Sequence, residues 1–94
     1  MNGERIKKIE YSTKYLRSFK KLPRHLKQKA LEKEKLFKNS PFDARLGSHK
    51  LDGKFQGYWS YSVDYRNRVI FRFINGTKVQ FFDIGPHSIY GEGK

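Results

Sequence analysis

The chain is predicted to fold as a two-layer α+β domain in the order β-α-α-β-β-β: an N-terminal strand, a helical hairpin, then a three-stranded antiparallel meander. Three observations predict it. Apolar residues recur at helical spacing from Leu16 to Phe37, the period changes to two from Trp59 onward, and Asn75-Gly76 divides two alternating runs as a hairpin turn does. The 94 residues make one domain, 1–94, with no repeats or low-complexity segments, and a chain of this size buries roughly 60–65% of its unfolded surface.

The elements follow in order. Ile9 and Tyr11 alternate with polar neighbours and mark a short first strand. Ser12 or Thr13 then caps a helix, its hydroxyl accepting an early backbone N–H that has no partner within the helix. Leu16, Phe19 and Leu22 come next at helical spacing. Pro23 suits a first helical position and no interior one. One helix therefore ends near Lys21, and a second runs from Pro23 to about Asn39-Ser40-Pro41, carrying Leu26, Ala30 and Phe37 with Leu31 and Leu36 beside them. Pro41 to Gly57 is a looser connector. After it Trp59, Tyr61 and Val63 alternate with Tyr58, Ser60 and Ser62, which gives a strand with one apolar face. Asp64-Tyr65-Arg66-Asn67 forms a turn and Arg68 to Ile74 the next strand. Asn75-Gly76 favours the positive φ of a type I′ turn, and Thr77 to Ile84 returns antiparallel. Gly85-Pro86 ends the last strand.

Composition narrows the partners. The 21 Lys+Arg against 9 Asp+Glu give a net charge of +12 and a pI near 10.1, which attracts nucleic acid or an acidic protein. Lys14, Arg17, Lys20, Lys21, Arg24, Lys27, Lys29, Lys33, Lys35 and Lys38 stand on the hairpin against only Glu32 and Glu34. Most lie off the apolar seam, where they attract phosphates without reading sequence. The absence of cysteine excludes disulfides and zinc–thiolate sites. No stretch has the length of a membrane span and no apolar run follows the N-terminal charges, so a cytoplasmic protein is expected. Nucleotide-binding GxxxxGK[ST] and GxGxxG and the serine-nucleophile GxSxG are all missing.

The residues with chemistry gather around the strands. If Val69, Phe71 and Phe73 face the helices, Arg68, Ile70 and Arg72 face the other way, together with Ser60 and Ser62. His87 and Tyr90 follow the Gly85-Pro86 stop at one rim, and the His49–Lys54 connector borders the first strand of the meander. RNA phosphodiester transesterification suits such a set. The 2′-OH must lose a proton, the non-bridging oxygens gain charge, and the 5′-oxygen must be protonated as it leaves. Imidazoles titrate near neutral pH and transfer protons, a guanidinium holds phosphate charge bidentately, and tyrosine stacks on a base. The reaction needs no metal or cofactor. Structural roles compete: His87 as a strand-end cap, His49 as a solvated loop residue, Arg68 as a partner of Asp64, Tyr90 as a core aromatic. His25, at a helix start, reads as surface, and Trp59 as core.

Several segments occur in a characteristic order: Asn39-Ser40-Pro41-Phe42 after the basic hairpin, His49-Lys50-Leu51-Asp52-Gly53, Gly57-Tyr58-Trp59-Ser60, Arg68-Val69-Ile70-Phe71, and Asp83-Ile84-Gly85-Pro86-His87-Ser88-Ile89-Tyr90. In these the chain, from about Tyr11 to Gly91, resembles the RelE/ParE toxin superfamily of type II toxin–antitoxin systems, most of all its YafQ branch. The resemblance implies a RelE-like fold and a ribosome-dependent, metal-independent mRNA endonuclease working in the A site. It implies no cofactor, a toxin monomeric when alone, and an acidic antitoxin whose partly helical peptide wraps the sheet or helices in a larger assembly. It makes His49 a general base, His87 the proton-transfer group at the leaving oxygen, Arg68 the phosphate stabiliser and Tyr90 the residue that orients or stacks on the substrate. Lys50, Lys54, Ser60, Ser62, Arg66 and Arg72 complete the RNA-binding set. The chain departs from the pattern at Ser60 and Ser62, where RelE-type toxins carry lysines and YafQ-type toxins a histidine at the later position. Arg66 falls near an acidic position of the YafQ pattern, and the histidine–tyrosine interval is one residue shorter. ParE-like chains share the scaffold, lack the catalytic histidines and inhibit gyrase without catalysis. A degenerate member that only binds antitoxin or nucleic acid is the third possibility.

Overall fold

The structure, a computed structural model, describes residues 5–86. Its elements are β1 (Lys8–Tyr11), α1 (Thr13–Lys20), α2 (Arg24–Asn39), β2 (His49–Lys50), β3 (Trp59–Ser62), β4 (Asn67–Phe73) and β5 (Lys78–Pro86). They form one five-stranded sheet in the order β1-β5-β4-β3-β2, with the helices packed on it. β1 pairs in parallel with β5 and every other pairing is antiparallel. The parallel pair requires a long crossover, which the helical hairpin and the meander supply.

Local chemistry sets the helix ends. Ser12 caps α1: the Tyr15 N–H donates to its Oγ at 2.9 Å, while that hydroxyl donates to the Phe82 carbonyl at 2.6 Å. One side chain thus starts the helix and ties it to β5. Arg17 and Lys20 sit in the last turn, where the helix dipole favours positive charge. Pro23 is the extended cap residue of α2, one place earlier than the first helical position its sequence suggested.

The apolar seam also differs in detail. Leu16 and Leu31 are more than half exposed, and Tyr15, not Leu16, turns into the core. Phe37 is the hub on the helix face. Its ring centroid lies 4.9 Å from Tyr61, 4.8 Å from Phe71 and 5.5 Å from Phe81, and such pairs contribute about 0.5–1.5 kcal/mol each beyond their buried area. Val69, Val79 and Ile84 complete this layer with Leu46 and Ala30.

Two connections depart from expectation. The 41–57 connector holds two short 3-10 turns, Ala44–Leu46 and Gly53–Phe55, and between them the edge strand β2. Two residues are too few for an alternation signal, which is why the strand was not foreseen. Gly47, at φ 60, turns the chain from the first of these turns into β2. The β4–β5 hairpin forms, but neither Asn75 nor Gly76 has positive φ, so its turn is not type I′. Instead Asn75 Oδ1 accepts the Thr77 N–H at 2.9 Å, a side-chain-closed turn.

Candidate active site

Strand register fixes what shares the face away from the helices. Trp59 pairs with Phe71 and Tyr61 with Val69 on the helix side, so Ser60–Ile70 and Ser62–Arg68 form the pairs of the open face. β2 extends the row, with His49 opposite Ser60. His49, Ser60, Ser62, Ile70, Arg68 and Arg72 therefore occupy one side of the sheet, as alternation implied. Lys50 alternates away from His49 and lies 5.8 Å from the Trp59 ring.

Arg68 is half-buried, and its Nη1 donates to Ser62 Oγ at 2.8 Å. The bond draws the guanidinium over β3, on the side where β2 carries His49. Ser62 thus acts as a hydrogen-bond acceptor that orients Arg68. His49 is exposed, with Nδ1 3.0 Å from the Gly47 carbonyl oxygen. A carbonyl only accepts, so Nδ1 donates to it and the ring is held with Nε2 directed away from Gly47. Gly47 thus serves twice, by its turn and by its carbonyl.

The turn below Arg68 is built by Asp64. Its Oδ1 accepts the backbone N–H groups of Arg66 at 2.9 Å and Asn67 at 2.8 Å and the Asn67 side chain at 3.1 Å. Burial raises this carboxyl, but the hydrogen bonds from Asn67 and Arg66 outweigh it and leave its pKa below the ordinary value. Arg68 is therefore bonded to Ser62, while the turn is closed by Asp64 through Asn67 and the Arg66 backbone. The Arg66 side chain is exposed at the turn.

At the other end of the face lie three aromatic side chains to which the sequence alone gave no role, flanked by Lys54, Arg72 and Lys14. Phe55, Tyr58 and Phe82 form a triangle with ring centroids 6.0, 6.2 and 5.4 Å apart. Each ring carries a cation: Lys54 Nζ 6.0 Å from Phe55, Arg72 Cζ 5.8 Å from Tyr58 and Lys14 Nζ 6.0 Å from Phe82. Arg72 also donates through Nε to Gln80 Oε1 at 3.0 Å. Phe82 shares this face with Gln80, the partner of Arg72, and β5 carries a bulge beside it: Ile70 pairs with Asp83 and Phe71 with Phe81, leaving Phe82 unpaired. Buried Asp83 anchors the bulge, accepting from Ser18 Oγ at 2.6 Å and from the Ile84 N–H at 2.9 Å, with Lys14 Nζ at 3.9 Å. A pairing irregularity has no sequence signal, but Tyr58 could have been found, since it alternates with Trp59. His87 and Tyr90 lie outside the described residues. Among the described residues no cluster of His, Cys, Asp and Glu could hold a metal ion, and no helix is long and apolar enough to cross a membrane.

The architecture recurs in solved structures. The chain aligns over 94% of its length with 99% of a chain of the toxin–antitoxin complex RelBE2 from Mycobacterium tuberculosis, at a TM-score of 0.77 and 16% identity. The fold is that of the RelE/YafQ-like toxin superfamily. The YoeB/ParE toxin from Agrobacterium tumefaciens shares this RelE-like fold at a TM-score of 0.72 and 18% identity, over 86% of this chain and 99% of that one. So does a chain of the E. coli DinJ-YafQ toxin-antitoxin complex, at 0.71 and 24% identity over 86% and 92%. No family model and no curated protein matches the sequence.

Proposed function

We propose that this protein is the toxin of a type II toxin–antitoxin system and cleaves mRNA on the translating ribosome, in the cytoplasm, without metal or cofactor. The observation that carries the reading is the placement of His49 and Arg68 on one open face, with Arg68 held by Ser62 and the His49 ring held by the Gly47 carbonyl. The RelE-like fold, shared with chains of the RelBE2 and DinJ-YafQ toxin–antitoxin complexes, adds weight.

In this reading His49 Nε2 accepts the proton of the RNA 2′-OH, and the 2′-oxygen attacks the adjacent phosphorus. Arg68 balances the charge that grows on the non-bridging oxygens. The bond to the 5′-oxygen breaks as His87 supplies a proton, leaving a 2′,3′-cyclic phosphate and a 5′-hydroxyl. Tyr90 orients the substrate, and Lys54, Arg66 and Arg72 hold flanking phosphates. Lys50 adds charge at the sheet edge. Ser60, fully buried beneath the site, supports the row between His49 and Ile70.

The partner of the isolated toxin is an acidic antitoxin. Tyr11, Tyr15, Leu16, Phe19, Leu31 and Glu34 line an apolar groove on the helical hairpin, next to the basic residues of α1 and α2. Such a surface suits an amphipathic acidic helix that orders on binding.

The test is induced expression with mapping of mRNA 5′ ends on translating ribosomes. Codon-phased cuts are expected from the wild type and lost in His49→Ala, His87→Ala and Arg68→Ala. The second reading is a ParE-like inhibitor of gyrase, favoured by Ser60 and Ser62 in place of the family's basic or titratable groups. Intact mRNA with relaxed plasmid DNA selects it and sinks the nuclease.

A further inference from the structure

We propose that Phe55, Tyr58 and Phe82 form a base-stacking platform for the nucleotide beside the scissile phosphate, with Lys14, Lys54 and Arg72 as its phosphate contacts. The proposal rests on reading the open face as an RNA site and adds a second subsite to it.

The position fits. Tyr58 lies two residues from Ser60, the partner of His49, a distance of about 7 Å at the rise of a strand. Arg72 lies four residues from Arg68 along β4, about 13 Å on the same measure. A phosphate at Arg68 and a base at Tyr58 therefore belong to neighbouring nucleotides of one extended strand.

The composition fits as well. Aromatic rings left half-buried on an open sheet face, where core positions were available on the other side, retain apolar surface that a base can cover. The three rings meet edge-on or tilted, at 85°, 63° and 57°, so they do not stack on one another. The cations sit 5.8–6.0 Å from the ring centroids, at the outer limit of useful cation–π attraction. A base arriving on a ring displaces them by a small movement towards its own phosphates, where the charge interaction is stronger. Single-strand sites elsewhere combine the same elements, a cationic track and aromatic faces that accept any base. A duplex, whose bases are already stacked, has nothing to offer such a platform.

A bulge in β5 adjoins the platform. Phe82 is the extra residue of β5, with no direct partner on β4, and its ring centroid lies 5.4 Å from that of Tyr58. The Ser12 and Ser18 hydroxyls hold that irregularity from α1, through the Phe82 carbonyl and Asp83.

The experiment measures binding, not cleavage, with three fluorescent probes: single-stranded oligo(A), an abasic strand of equal length, and a duplex containing the same sequence. Wild type, Tyr58→Phe and Tyr58→Leu are compared at one low salt concentration, with Phe82→Leu as a second variant and circular dichroism to confirm folding. Tyr58→Leu is expected to weaken oligo(A) binding roughly five- to a hundredfold, Tyr58→Phe to retain it, and neither to change affinity for the abasic strand or the duplex. Equal oligo(A) affinity for wild type, Tyr58→Leu and Phe82→Leu overturns the platform, as does an equal loss on the abasic strand. Failure of the nuclease reading looks different: mRNA stays intact in cells while the Tyr58-dependent preference for oligo(A) persists.

Discussion

The two faces of this sheet use the same kind of residue for opposite ends. On the helix side Phe37, Tyr61, Phe71 and Phe81 are buried and pack on one another, on neighbouring aromatics such as Tyr15 and Trp59, and on aliphatic residues. On the open side Phe55, Tyr58 and Phe82 are half-exposed, and each has a cation over its ring. Aromatic content alone says nothing about role. What separates these buried rings from the half-exposed ones is whether their neighbours could tolerate being desolvated, and a lysine or an arginine could not.

The difference is sharpest in stability. Phe37→Ala should cost about 3–5 kcal/mol, since it removes a fully buried ring at the centre of the cluster and leaves a cavity. Denaturant unfolding measures it, and a loss below about 1 kcal/mol would mean the helix-side cluster is not the core. Tyr58→Leu, by contrast, should leave the midpoint almost unmoved.

Alkali acts on the same side. Burial raises the Tyr15 and Tyr61 hydroxyls well above their ordinary value, with the Glu34 charge adding to Tyr15. Tyr11, whose hydroxyl donates to Glu34, is raised by burial first and by that bond second. The sign follows: folded pKa values above the unfolded one give stability that is complete below about pH 10 and lost as pH rises further. Ionisation of Tyr11, Tyr15 and Tyr61 should therefore coincide with unfolding. Tyrosinate appearing from these residues in a still-folded protein would contradict the burial.

On the open face the expected effects are on activity. Arg68→Ala should lower cleavage by roughly a hundred- to a thousandfold, as losing one preorganised donor to a developing anion does. The hydrogen bond to Ser62 accounts for about 1 kcal/mol of the stability the substitution costs. Arg68→Lys should recover little, because the ammonium cannot contact phosphate bidentately while bonding Ser62. Unaltered cleavage in Arg68→Ala would remove the open face from the chemistry.

Ser18→Ala joins the two faces. It leaves the buried Asp83 carboxylate one donor short, at a cost of about 1–3 kcal/mol. Because Asp83 adjoins the unpaired Phe82, oligo(A) affinity should fall as well, although Ser18 belongs to α1. Lost stability with unchanged affinity would separate the bulge from the platform.

Much of this was legible in the sequence. Alternation through Trp59–Val63 and Arg68–Phe73 assigned both faces correctly, because a strand has period two whatever packs on it. The helical hairpin was legible from its apolar period, and the Ser12 cap from its hydroxyl. The edge strand His49–Lys50 was not, since two residues carry no period. The bulge at Phe82 was not either, because pairing between β4 and β5 decides it. Leu16 and Tyr15 were exchanged for a related reason: helical spacing gives a stripe, and packing chooses its centre. Chemistry singled out Arg68 and His49 as candidates, which the strand register puts on one face, and Ser62 as the acceptor for Arg68 emerged only from the structure. The expected roles of His87 and Tyr90 rest on the resemblance.

The smallest expected effect lies at the turn that delivers Arg68 to the open face. Asp64 gathers three donors on one oxygen, so Asp64→Ala should cost about 1 kcal/mol, the net worth of such bonds at a partly exposed site. The carboxyl is depressed in the fold because those hydrogen bonds outweigh its burial. A depressed acid contributes stability that is present above its unfolded value and lost as pH falls through the folded one. The turn should therefore weaken below about pH 4, while the tyrosine-rich core is untouched there and fails only in alkali. Asp43, which the Arg45 side chain and backbone N–H hold down to about 2, persists further into acid. Amide exchange at Arg66 and Asn67, followed from neutral to acid pH in wild type and Asp64→Ala after correction for intrinsic rates, measures this directly. Faster relative exchange in acid for the wild type, converging on the variant, ties the turn to Asp64 ionisation. Parallel behaviour at all pH values would mean that the backbone alone closes the turn and that Arg68 is positioned without Asp64.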